Sequence, residues 1–145
     1  MPASSSLQDM AGNLIIFDTS VLVDHLRTGR YEEKIDSVSG IVRTSSVVLA
    51  ELWRGASTSH EHKFLEALAR NHPILTPTEK NWLESGQILG KIYARKRFGA
   101  GRLRDLHFDV LIALTARSHG ATLITSNKDD FELISSYRKV QLEIW

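Results

Sequence analysis

Three carboxylates set against apolar sequence constrain this chain more than any other feature. Asp18 ends the apolar run Leu14-Ile15-Ile16-Phe17 and is followed by the small hydroxyl residues Thr19 and Ser20. Glu51 interrupts Val47-Val48-Leu49-Ala50-Glu51-Leu52, a mostly apolar segment opened by a Ser cap at Ser45-Ser46. Asp109 lies one turn into a helix predicted over residues 106–119. An ionised carboxylate within apolar surroundings is unfavourable unless it is paired, hydrogen-bonded or bound to a cation. A fold that gathers these three segments at one edge of a parallel sheet lets the acids offset one another by sharing a divalent metal.

The rest of the chain supports such a sheet. Short strand-like runs are expected at 14–17, 41–44, 73–75, 121–125 and 140–144, and they alternate with helical stretches at 20–27, 31–38, 46–56, 59–71, 78–97 and 106–119. Alternation of this kind is the pattern of an α/β domain with a parallel sheet. Thr78 is placed to cap one long helix after Pro77, and Asp105 and Gly120 bracket the last one.

At 145 residues and 42% hydrophobic content, the chain suits one domain with a proper core, here 13–145, preceded by a Ser-rich tail at 1–12 that is expected to lack order. It holds no cysteine, which excludes disulfides and thiolate zinc sites and fits a reducing cytoplasm. No run is long and apolar enough for a membrane span, and the opening residues lack a signal peptide's basic start and apolar centre. A net charge of +1 gives no global case for a nucleic-acid partner, but the charge is uneven. Arg95, Lys96, Arg97, Arg102 and Arg104 fall in one stretch that no acid interrupts.

Open α/β sheets bind ligands outside the carboxyl ends of their strands, where Asp18 and the segment Thr125-Ser126-Asn127 are expected to lie. Asp18, Glu51, Asp109 and one group from the expected turn at 127–130 supply hard oxygen ligands with no imidazole or thiolate. That set suits magnesium or manganese. An ion so held acidifies a bound water and neutralises charge on a phosphodiester oxygen, which implies metal-dependent phosphodiester hydrolysis. Either one ion or two suit this ligand set. If two bind, they stand roughly 3.5 to 4 Å apart.

These segments together carry a family resemblance. Phe17-Asp18-Thr19-Ser20-Val21-Leu22-Val23-Asp24, the segment around Glu51, Phe108-Asp109-Val110-Leu111-Ile112-Ala113, and Thr125-Ser126-Asn127 with Asp130-Phe131 resemble a PIN-domain ribonuclease of the VapC toxin type. Each motif alone is weak, but four in this order are specific. The resemblance implies a central parallel sheet in an α/β/α sandwich, magnesium-dependent endoribonuclease activity, a homodimer and a VapB-like antitoxin. Asp18, Glu51 and Asp109 match the family's three core acids. Where many relatives have a fourth Asp, this chain has Asn127, which serves as a neutral ligand or orients a metal-bound water, while Asp130 completes the acidic cluster as an alternative. Thr19, Ser20 and Thr125 are supporting hydroxyls.

Each assignment has a plainer competitor. Asp18 also suits a helix cap, and Glu51 an exposed helix position. Asp105, four residues before Asp109, is better read as a helix cap than as a ligand. Asp24 is solvated, paired with Arg27 or supportive. His60 and His62 point in different directions from a helix and are surface residues. His107 is expected to be solvent-exposed. Trp53, Trp82 and Trp145 are expected in the core or an interface, with Trp53 also suited to an antitoxin groove. The basic stretch is either an RNA phosphate contact or a solvated helix end. Two other classes compete. A haloacid-dehalogenase-like phosphatase is similar at Asp18, but it needs an acid where Ser20 stands. A non-catalytic RNA-binding or interaction module needs no divalent site.

Overall fold

Ile15, Ile16 and Phe17 are all buried in β1 (Leu14–Phe17), so this strand is covered on both faces, as the centre of a parallel sheet must be. The computed structural model describes residues 13–145, and the tail expected at 1–12 lies outside them. From β1 the chain runs through α1 (Thr19–Thr28), α2 (Glu32–Asp36), β2 (Ile41–Ser45), α3 (Ser46–Gly55), α4 (Ser59–Asn71) and β3 (Ile74–Leu75). It continues through α5 (Glu79–Lys96), α6 (Ala100–Ser118), β4 (Thr122–Thr125), α7 (Lys128–Tyr137) and β5 (Gln141–Ile144).

The five strands are parallel throughout and stand in the order β3-β2-β1-β4-β5, giving the expected α/β/α sandwich. The chain builds from β1 outward to β3, then crosses back and builds outward through β4 to β5. Such a reversal opens a crevice at the carboxyl ends of the two inner strands, the place where sheets of this type present ligand sites. The register aligns those ends: Phe17 stands opposite Ile124, with Asp18 and Thr125 next in line.

Local chemistry fixes the helices that reach the crevice. The Ser45 side chain accepts from the backbone N–H of Val47 and Val48, so it is Ser45 that caps α3. Thr78 and Asn81 form a reciprocal capping box on α5. In α6, residues 110–116 are all buried and anchor that helix in the core.

Two elements differ from the sequence reading. α6 begins at Ala100, capped by Gly99, rather than at residue 106. Gly99-Ala100-Gly101 looks like a break, yet α5 already ends at Arg97 in the left-handed conformation (φ 55°), and Phe98 and Gly99 suffice to turn the chain. Asp105 is therefore an exposed residue inside α6 and caps nothing. The expected turn at 127–130 is instead the start of α7, with Asn127 at its N-cap and Asp129 and Asp130 in its first turn. Acids there favour the positive end of the helix, a signal that the polar sequence Lys128-Asp129-Asp130 obscures.

Candidate active site at the carboxyl ends of the sheet

Asp18 stands at the carboxyl end of β1, beside the point where the strand order reverses. Its backbone N–H donates to the Ile124 carbonyl at 2.8 Å, which ties the end of β1 to β4, and the residue is 2% exposed. Its Oδ2 accepts from the Ser20 hydroxyl at 2.7 Å and the Thr125 hydroxyl at 2.8 Å. Its Oδ1 is buried and has no hydrogen-bond partner among the described residues. Burial pushes the carboxyl up from its ordinary range, against the pull of the two hydroxyls and the backbone N–H groups of Thr19 and Ser20.

Glu51 projects from α3 and receives the Thr19 hydroxyl on Oε1 at 2.8 Å. Thr19 and Ser20, neighbours in the first turn of α1, therefore serve two different acids. Burial raises the Glu51 carboxyl first, and the negative charges of Asp18 and Asp105 add to it, while Thr19 and Arg54 oppose. Arg54 lies one turn further along α3, its guanidinium carbon 5.5 Å from the Phe108 ring centroid. Sequence reasoning passed over Arg54, although its i, i+3 spacing from Glu51 on a helix is a readable signal.

Asp109 sits midway along α6 and is raised to about 8, by burial first and then by the charges of Asp18, Glu51 and Asp130, with Arg102 opposing. Acids from the end of β1, α3 and α7 thus all bear on Asp109. Asp130 accepts from both terminal nitrogens of Arg102 and from the Asn127 side-chain amide at 2.9 Å. Burial pushes its carboxyl up, but Arg102 and Asn127 outweigh that and hold it below the ordinary range. Asn127 therefore orients Asp130, and its backbone N–H donates to the Thr125 hydroxyl at 3.0 Å.

The donor set is all oxygen and fits a hard divalent ion. Asp18 Oδ1, buried and unpartnered, is the atom whose environment most needs a cation. The spacing is less complete than the sequence suggested: among the described residues no three acids or histidines stand close enough to hold one ion. Carboxylates without a counter-ion repel one another, and forming a cage here requires their side chains to move together.

The PIN domain family matches residues 15–136, a span that takes in every acid of this cluster. The chain belongs to the PIN-domain family. Two solved structures are similar in fold, VapBC-1 from nontypeable Haemophilus influenzae and VapBC2 from Rickettsia felis bound to a DNA fragment from their promoter. Each has a TM-score of 0.67 at 21% identity, over 91% of this chain and 98% of the other. No curated protein matches the sequence.

The remaining expected residues divide. Arg95, Lys96, Arg97 and Arg104 are exposed around the α5–α6 connection of the PIN domain. Arg102 is apart from them, since it is engaged by Asp130, and nothing in the sequence links two residues 28 positions apart. The ion pairs among the described residues are Arg102–Asp130 and Arg138–Glu84, so Asp24 does not pair with Arg27. His107 is partly buried rather than exposed: its Nε2 lies 2.9 Å from the Ser85 hydroxyl, Trp82 meets it edge-on, and burial lowers its pKa. Trp53 and Trp82 are exposed rather than in the core, and Trp53 stacks against His62. Trp145 packs on Phe17 and Tyr31. No described helix is long and apolar enough to cross a membrane.

Proposed function

We propose that this PIN-domain chain is a divalent-metal-dependent endoribonuclease and the VapC-type toxin of a toxin-antitoxin pair. The observation that carries this reading is the buried Asp18 carboxylate, one oxygen unpartnered, whose charge with those of Glu51 and Asp130 adds to burial in raising Asp109 to about 8. Asp18, Glu51 and Asp109 would hold Mg2+ or Mn2+. When bound, such an ion neutralises charge on the scissile phosphodiester and makes the attacking water more acidic.

The chain's own groups do the rest. Ser20 and Thr125 hold Asp18 through hydroxyl donors, Thr19 holds Glu51, and Asn127 holds Asp130. Hydrogen bonds to the charged form of a carboxylate favour ionisation, which readies these acids as ligands. Arg95, Lys96, Arg97 and Arg104 are free to meet RNA phosphates, a contact that gives affinity with little sequence reading. The VapBC structures of similar fold support a VapB-like antitoxin as partner, and a homodimer in the cytoplasm completes the proposal.

One observation favours a second reading, a non-catalytic RNA-binding module: the incomplete ligand spacing among the described acids. Incubation of the purified protein with total cellular RNA separates the two. Discrete fragments that need magnesium and vanish in Asp18→Asn support the nuclease. Binding without fragments, or equal cleavage by the variant, supports the alternative.

A further inference from the structure

Asp130 differs from the other acids in how its oxygens are used. Oδ2 accepts from Arg102 Nη1 at 3.0 Å and from Asn127 Nδ2 at 2.9 Å, and Oδ1 accepts from Arg102 Nη2. A forked guanidinium satisfies both oxygens of a carboxylate and neutralises it. Asp18, by contrast, keeps a buried oxygen without a partner, and Glu51 receives a neutral hydroxyl.

Arg102 is itself held in place. It stands in the first turn of α6, its guanidinium carbon 5.0 Å from the Phe98 ring centroid. Its charge bears on Asp109 and Asp105 as well as on Asp130. Between an aromatic ring and a carboxylate, with its side chain 40% exposed, Arg102 is a fixed cation at the rim of the acid cluster.

Resting on the metal-dependent reading above, we propose that Arg102 closes Asp130 to metal and makes this a one-ion centre. The guanidinium occupies the fourth carboxylate and supplies from the protein the second positive charge of the site. Of the five N–H donors of a guanidinium, those not given to Asp130 are available to a phosphate oxygen at the rim. A second divalent ion would have to break two charge-assisted hydrogen bonds to reach Asp130.

Manganese uptake by the whole chain, read by calorimetry and by loss of the free-ion electron paramagnetic resonance signal, counts ions without reference to cleavage. Wild type takes up one ion, Arg102→Gln takes up two, and adding Asp130→Asn to that variant returns the count to one. Two ions in wild type, or one in folded Arg102→Gln, overturns the proposal. Asp130→Asn alone provides a test that does not depend on the Arg102 variant folding. It keeps one ion, and an affinity loss beyond about 100-fold, more than removal of a supporting group produces, makes Asp130 a ligand and overturns the proposal. No uptake by wild type sinks the metal-dependent reading and this proposal with it. Wild-type uptake of one ion, unchanged in Arg102→Gln, sinks this proposal alone.

Discussion

Asp18 Oδ1 is a buried carboxylate oxygen with no hydrogen-bond partner among the described residues, and a fold keeps such an atom at the expense of its own stability unless something outside the chain compensates. Asp18→Asn removes the buried charge while keeping the shape. It is expected to lower metal-dependent RNA cleavage by on the order of 100-fold or more, with a metal-free melting temperature equal to or above that of wild type. A gel assay and a thermal melt check both. The same logic sets a pH dependence. Folded Asp109 keeps its proton up to about 8, whereas the unfolded chain releases it near 3.8. Between those values the unfolded state binds fewer protons than the folded one, so the stability of the metal-free protein falls as pH rises. One proton contributes a slope of at most about 1.4 kcal/mol per pH unit. Asp18 and Glu51 are raised too and add in the same direction. Asp109→Asn is expected to flatten the slope in denaturant titrations between about pH 4 and about pH 8, and a slope equal to wild type would contradict the placement of Asp109 among the acids.

Among the elements, those that announce themselves locally were the legible ones. β1 was readable because four apolar residues end in an acid and two hydroxyls, and α5 because Thr78 follows a proline and opens a periodic stretch. Thr78→Ala removes a reciprocal cap and is expected to cost about 1 kcal/mol in denaturant unfolding. The two misplaced helix starts have different causes, one non-local and one a backbone conformation. α7 opens on Lys128-Asp129-Asp130, which reads as a turn until Arg102 from another helix pairs with Asp130. The extra turns at the start of α6 follow from the left-handed end of α5 at Arg97, an unusual conformation for a residue with a Cβ that no propensity anticipates. Gly40 shows the converse, a position where only glycine fits: its φ is 142°, and a Cβ there would stand 2.6 Å from the Asn13 carbonyl oxygen. Gly40→Ala is expected to destabilise the junction of β1 and β2 by about 1 to 3 kcal/mol, visible as a lower denaturation midpoint.

For the whole molecule, the parallel sheet and its class are legible in the alternation of strand and helix, and the apolar settings of Asp18, Glu51 and Asp109 mark them as candidates. The arrangement of charge around them is not legible there. Which arginine is bound and which are free depends on how α5, α6 and α7 meet, and that separates Arg102 from its neighbours. Exposed Arg95, Lys96, Arg97 and Arg104 predict salt-sensitive RNA affinity. Replacing two of them with Ala is expected to reduce the slope of log affinity against log salt by roughly 0.7 per lost phosphate contact on single strands, measured by filter binding. An ion that binds only the folded acids must also stabilise the molecule, by about 2.7 kcal/mol at 100 times its dissociation constant.

On the proposed reading, carboxylates from the end of β1, α3 and α6 converge to hold one hard divalent cation. Anomalous diffraction from crystals soaked in manganese tests it most directly. A single peak is expected among Asp18, Glu51 and Asp109, beside Asp18 Oδ1 and with Arg102 still forked on Asp130. A peak elsewhere, or none at saturating manganese, would contradict it.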